Sequence, residues 1–338
     1  MTQRGRLGVA VVGLGVGEQH ARSYALLDSC RLAVLCDIDQ GRAHKLAQSL
    51  PGATVLQDFA SVIADPDVDI LSIASYDHAH FDQVKGALEA GKHVFVEKPL
   101  CTTRAELIAI GRLLNQNPRL HLDSNLVLRG APVYHWLRDE IRSGAFGEIY
   151  AFDGDYLYGR LEKITHGWRK DSADYSVMLG GGIHLIDLLL LLTGQRPQQV
   201  ACIGNAIATH GTAFGHNDFA AATMTFASGL VARITANFGC VHRHQHVVRI
   251  FGTRKTFLLD DAGPRIIATR DTAIPASLVP HPTLPASKGV LIPGFVRGIE
   301  LGDDPDTLER RAVFDGISVA LACDEAMATG KTQMVDYA

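Results

Sequence analysis

Along the first third of the chain, short apolar runs alternate with stretches of mixed polarity. The runs at 7–13, 31–37, 53–58, 68–75, 93–99 and 119–125 are rich in Val, Ile and Leu. The stretches between them, at 18–28, 40–49, 59–64, 78–90 and 103–116, read as helices. Strands this apolar are buried on both faces, as in a parallel sheet covered by helices. The alternation predicts an α/β class domain with a doubly wound sheet and right-handed crossovers. After Asn125 the pattern changes. A helix at 132–143 leads into a strand, and an almost wholly apolar run, "SVMLGGGIHLIDLLLLLTG" at 176–194, reads as a buried helix. Runs at 198–207, 218–227, 230–239, 247–253 and 255–260 follow with period-two alternation. The Ser228-Gly229 turn marks a hairpin, and successive hairpins predict an antiparallel sheet. A last helix is expected over 305–329. The chain is thus expected to divide into domains at 1–123 and 124–338. The proline-rich stretch 271–294 reads as a surface excursion rather than a domain linker.

Composition changes this picture little. The 338 residues are 47% hydrophobic and 20% charged, as in soluble globular proteins. A net charge of −4 gives no electrostatic reason to bind nucleic acid or an anionic membrane. The longest apolar run, 188–192, is far too short to span a bilayer. Cysteines at 30, 36, 101, 202, 240 and 323 form no CxxC pair, which suits reduced thiols in a cytoplasm.

Candidate chemistry begins at the first strand-to-helix turn, "VVGLGVGEQHARSY". Gly13, Gly15 and Gly17 stand where a backbone turns tightly and approaches a pyrophosphate resting on the next helix. Asp37, at the end of the second strand, stands where a carboxylate takes ribose hydroxyls. It would repel a 2′-phosphate, and no arginine follows until Arg42, so NAD is favoured over NADP. The third glycine comes one residue early for GxGxxG. "GKHVFVEKPL" ends its strand with Glu97, Lys98 and Pro99, and ligands bind beyond such strand ends. In "GGGIHLIDLL", His184 and Asp187 lie inside the apolar helix, where titratable groups cost free energy unless they are used or satisfied.

The segments "GLGVGEQHA", "CDID", "SIASYDHAH", "ALEAGKHVFVEKPL" and "GGGIHLIDLLLLLTG", in this order, resemble the glucose–fructose oxidoreductase / inositol dehydrogenase / MocA-type family over essentially the whole chain. The resemblance implies a Rossmann domain followed by a domain with a large, mostly antiparallel open sheet. It implies NAD(P)-dependent oxidation or reduction of sugars, cyclitols and related polyols, and a cis peptide before Pro99. It implies cofactor contacts at Gly13, Gly15, Val16, Gly17, Asp37, Ser75, His80, Glu97 and Lys98. Lys98 matches the family's active-site lysine and His184 its catalytic histidine. One departure stands out. Many members carry an aspartate four residues before the histidine, and here that position is Gly180. Asp187, on the same helix face as His184, either orients the imidazole in its place or is a buried hydrogen-bonding aspartate.

Asn125, Arg129, Tyr158, Trp168 and Arg169 form a candidate substrate set, with donors, acceptors and an aromatic plate suited to a carbohydrate. Lys and Arg in 160–169 also suit a sugar acid or nucleotide sugar. His242, His244 and His246 alternate along an expected strand; three imidazoles on one face can bind zinc, though the sheet's open face or a subunit interface suits them better. Homodimers or homotetramers through the second sheet are expected. Two rival functions fit the same residues: a redox-neutral NAD-dependent glycosidase or eliminase, and a non-enzymatic NAD-binding regulator.

Overall fold

Hydrophobic runs and capping residues set the first unit. A computed structural model describes residues 5–304 and 307–338, the side chains of 308 and 309 excepted. In it β1 (Leu7–Val12), α1 (Gly17–Ala25), β2 (Cys30–Cys36), α2 (Gln40–Ser49), β3 (Thr54–Leu56), α3 (Phe59–Ala64), β4 (Ile70–Ile73), α4 (His80–Glu89), β5 (His93–Val96), α5 (Arg104–Gln116) and β6 (Leu122–Ser124) alternate as the pattern predicts. Asp39 and Asp58 cap α2 and α3, and Thr103 with Glu106 forms a capping box on α5. The six strands are parallel in the order β3-β2-β1-β4-β5-β6, a doubly wound sheet. Its order reverses between β1 and β4, the switch point where such sheets bind ligands.

In the second unit, α6 (Pro132–Arg142), β7 (Ile149–Leu157), α7 (Glu162–Thr165) and α8 (Ile183–Thr193) precede β8 (Pro197–Asn205), β9 (Phe219–Phe226), β10 (Val231–Asn237), β11 (Gln245–Gly252), β12 (Thr256–Asp260), β13 (Gly263–Ile267) and β14 (Ser277–Leu278). The sheet has nine strands in the order β14-β13-β12-β11-β7-β10-β9-β8-β15, where β15 is Gln333–Met334. Every pairing is antiparallel except that of β7 with β10. Gly229 takes φ +88° in the β9–β10 turn. The apolar helix α8 covers this sheet at β7, where Gly154 leaves room for Leu185. Each fully buried leucine of α8 contributes about 2 kcal/mol of burial.

The chain then returns. Residues 285–313 belong to the first unit, and α9 (Ile292–Leu301) places Ile292, Phe295 and Val296 in the core with α1 and β1. The expected boundary at 123/124 is close to the observed 127/128, but this return segment was expected in the second domain. The 271–294 stretch is mostly exposed, as a surface excursion, but it is also where the chain passes from one unit to the other, which the reading against a linker did not expect. Its extended, proline-rich backbone carries no periodicity to show which core it serves. Finally the chain re-enters the second unit within α10 (Leu308–Thr329), and that helix from Phe314 onward completes the unit with β15. Residues 305 and 306 of the expected last helix lie outside the described residues. Among the described residues no helix is long and apolar enough to cross a membrane.

Candidate active site

The glycine turn is built as a phosphate cradle. Gly13 has φ +81°, and a Cβ there would meet the Ala74 carbonyl and the Ser75 backbone. Gly15 has no neighbouring atom within 4 Å of a built Cβ, so its backbone is open to approach. Gly17, the first residue of α1, would press a Cβ on Val11 and Ala74 at 3.1 and 3.2 Å. Val16 precedes it as the helix cap and is exposed. These are the roles a dinucleotide turn demands of its glycines. Asp37 is 5% exposed and holds the turn to the second strand. Its Oδ2 accepts from the Leu14 N–H at 2.6 Å and its Oδ1 from the Asp39 N–H at 2.8 Å. The Arg42 guanidinium also reaches Oδ2 at 3.3 Å, a contact the sequence reading did not foresee. This donor set fits NAD, with backbone N–H groups for the pyrophosphate and a carboxylate for the ribose.

At the ends of β4 and β5 the side chains lock to one another. The Lys98–Pro99 peptide is cis. His80 is fully buried, its Nδ1 2.7 Å from the Pro99 carbonyl and its Nε2 3.2 Å from that of Ser75. Ser75 donates its hydroxyl to Gln83 at 2.6 Å. His80 thus ties the strand ends together through backbone carbonyls. Glu97 meets a second buried histidine, His20, at 3.2 Å, and His20 Nδ1 lies 3.0 Å from the Ser72 hydroxyl. Asn125 donates to Glu97 and to the Lys288 carbonyl, both at 2.7 Å. Burial would raise the Glu97 carboxyl, yet the bonds from His20 and Asn125 and the charge of Lys98 hold it below the usual range. Asn125, expected at the substrate, is 1% exposed; its Nδ2 belongs to this network, while its Oδ1 makes no hydrogen bond among the described residues. His20 was visible in "GEQHA", but its partners lie 52 and 77 residues away, and no local pattern points to them.

The second unit surrounds His184 with rings. His184, 6% exposed on the first turn of α8, stacks on Tyr156 with centroids 6.0 Å apart. It stands edge-on to His246 at 5.8 Å. Tyr156 also contacts Tyr158, Phe238, His244 and His246. Of the HxHxH run only His246 lies in β11, because that strand begins at Gln245. His242 turns away, 3.3 Å from Asp261. Among the described residues no group of His, Cys, Asp and Glu is placed to hold a metal ion.

Asp187 faces Arg129. Arg129 Nε lies 3.1 and 3.0 Å from the two carboxylate oxygens and an Nη lies 2.6 Å from one of them. Both side chains are buried. Burial holds the Asp187 carboxyl above its usual range against the pull of Arg129. Asp187 is thus satisfied as a buried hydrogen-bonding aspartate, in an internal ion pair with Arg129, which was expected at the substrate. Gly180 lies in a π-helical turn, 178–182, ahead of α8. A Cβ there would overlap the Tyr175 hydroxyl, and one at Gly181 would overlap the Tyr156 ring. The space one turn before His184 is thus filled by Tyr175, whose hydroxyl accepts from Arg169 Nε at 3.0 Å. Arg169 also lies over the Trp168 ring at 4.6 Å. Trp168, Arg169 and Tyr158, all expected at the substrate, remain beside the His184 cluster through Tyr175, Phe238 and Tyr156.

Residues 7–122 match the oxidoreductase family with an NAD-binding Rossmann fold, GFO/IDH/MocA, and residues 134–258 match the GFO/IDH/MocA C-terminal domain. The chain belongs to the GFO/IDH/MocA oxidoreductase family. Its first unit is an NAD-binding Rossmann domain. An inositol 2-dehydrogenase of Acidothermus cellulolyticus is 36% identical over 141 residues, 41% of each protein, so that match spans less than half of the relative. A UDP-N-acetylglucosamine 3-dehydrogenase of Acidithiobacillus ferrooxidans is 31% identical over 229 residues, 67% of this chain and 66% of that enzyme. The fold is shared with scyllo-inositol dehydrogenase from Lactobacillus casei, solved with NAD(H) and scyllo-inositol. The TM-score is 0.78 at 21% identity, over 98% of this chain and 99% of that one.

Proposed function

We propose that this GFO/IDH/MocA protein interconverts a secondary hydroxyl and a carbonyl on a sugar, cyclitol or sugar derivative, with NAD as co-substrate. The observation that carries the reading is the setting of His184, a titratable ring kept in an apolar helix and presented to tyrosine and histidine rings. The relatives' names add that ring polyols are what such chains act on. Leu14 to Gly17 would cradle the pyrophosphate at the start of α1, and Asp37 would hold the adenine ribose. When bound, NAD supplies the two-electron redox chemistry. His184 takes the hydroxyl proton in oxidation and returns it in reduction, a task suited to an imidazole. Lys98, next to a carboxylate held ionised, stabilises negative charge developing on the substrate oxygen.

The sheet face away from α8 carries ion-paired Asp153, Asp155, Arg233 and Arg249 with exposed Val231 and Ile203. This supports its use in a homodimer or homotetramer. The test of function is NADH absorbance across aldoses, cyclitols, sugar acids and nucleotide sugars. Lys98→Ala and His184→Ala are each expected to lower turnover by about 10²-fold or more with NAD affinity within a few-fold. Near-normal turnover in either variant removes that residue from the chemistry, and no NADH from any ring polyol overturns the reading.

A further inference from the structure

His184 is buried, so a proton it takes needs a way out. Beside it stand two more imidazoles that the chemistry above does not use. His246 is edge-on to His184 at 5.8 Å, and His244 is edge-on to His246 at 5.0 Å. His246 and His244 are half-buried where His184 is nearly closed off. The three rings therefore form a file that runs from a nearly closed-off imidazole to two half-buried ones. Tyr156 organises it. It is the cross-strand partner of His246 and touches all three rings. Burial pushes the Tyr156 phenol well above its ordinary range, so it stays neutral and serves as scaffold.

The last ring has a defined hydrogen-bonding sense. His244 Nδ1 lies 3.1 Å from the Leu157 carbonyl. A carbonyl only accepts, so Nδ1 carries its hydrogen and Nε2 is the atom that gains and loses a proton. Ring centres 5 to 6 Å apart are a span that one bridging water can close between ring nitrogens.

We propose that His246 and His244 relay protons between His184 and solvent. The proposal rests on His184 being the acid–base group. In oxidation the substrate C–H hydrogen leaves with its electron pair to NAD as a C=O bond forms. The O–H proton goes to His184, then to His246, then to Nε2 of His244, and from there to water. His184 is ready again, and reduction runs the path backwards.

Exchange of the His184 imidazole N–H with water, read by NMR on cofactor-free protein with 15N-labelled histidine, tests the path without using turnover. His246→Gln and His244→Gln are each expected to slow this exchange by about tenfold or more, as loss of a shuttling base requires. His242→Gln, in the same run but turned toward Asp261, leaves it unchanged. Should His246→Gln fail to fold, His244→Gln carries the measurement. In single turnovers with a pH-indicator dye at low buffer, both variants are expected to release the proton later than NADH appears. Unchanged exchange in the variants, or protons keeping step with NADH in both, overturns the relay. A wild-type protein that forms no NADH from any ring polyol, with exchange still slowed in the variants, instead overturns the proposed function and leaves the path standing.

Discussion

Asp37 shows how a single side chain can be legible in type and hidden in circumstance. Its place at the end of β2 was readable from the strand pattern and the glycine turn before it. Its company was not, because Arg42 reaches back from the first turn of α2 across a geometry no spacing rule encodes. The carboxylate accepts from two backbone N–H groups and faces a half-exposed guanidinium. Replacing it with serine keeps one acceptor and removes the charge that opposes a 2′-phosphate, while Arg42 remains to meet one. Asp37→Ser is expected to weaken NAD binding by about tenfold, the loss of one charge-assisted hydrogen bond, and to narrow or reverse the preference over NADP. Titration of both cofactors checks this. A variant that still excludes NADP as strongly as the parent places the selectivity elsewhere. Glu97 and Lys98 were found through a motif, whereas the His20–Glu97–Asn125 network needed the fold, since its members come from α1 and from the residues just after β5 and β6.

At the scale of elements, helix α8 was the clearest feature of the sequence and its surroundings the least clear. An apolar run closed by Gly194 at φ +65° reads directly as a buried helix. The π turn before it does not. Three successive glycines are there because the Tyr175 hydroxyl, the Tyr156 ring and the Met178 side chain occupy the space their side chains would need. Helix α9 went unread because Pro293 and Gly294 look like loop, although proline is at home in a first helical turn. Strands β13 to β15 are short strands at the two ends of the sheet, with little period-two signal. The Arg129–Asp187 pair joins α8 to the segment just before α6, and it sets an expectation for stability rather than for catalysis. Asp187→Asn leaves a buried guanidinium without its counter-charge and is expected to cost about 3–5 kcal/mol. Arg129→Met with Asp187→Leu recovers most of that, since neither charge is then stranded. Denaturant unfolding of the three variants decides it. A mild loss in Asp187→Asn, together with a shifted pH–rate profile, would return Asp187 to the orienting role beside His184.

Across the whole molecule, the two units carry part-buried titratable groups with opposite responses to pH. In the first, His93 Nδ1 accepts from the His121 N–H at 3.0 Å, which requires that nitrogen to be unprotonated. Burial and the neighbouring His121 ring lower the His93 pKa from 6.5 to about 4. The unfolded chain therefore binds this proton where the folded one does not. The contribution to stability is full above about pH 6.5 and is lost as the pH falls toward about 4. In the second unit, Asp324 of α10 accepts from the Ser176 hydroxyl at 2.8 Å, and burial raises its pKa from 3.8 to about 7. Here the folded chain holds the proton more tightly. The contribution is full below about pH 3.8 and is lost as the pH rises through about 7. The two slopes oppose each other over most of the same window. His93→Asn keeps an acceptor for the His121 N–H and removes the titration, and its melting temperature is expected to decline with rising pH more than the parent's. Asp324→Asn keeps the partner for Ser176 and removes the opposite slope, so its melting temperature should climb toward about pH 6.5 and then level. Thermal melts of the parent and both variants between pH 4.5 and 8 compare the three directly. Variants that follow the parent's profile would show that these two groups do not change protonation on unfolding. Profiles that diverge in the same direction would mean that one of the two slopes has been assigned the wrong sign.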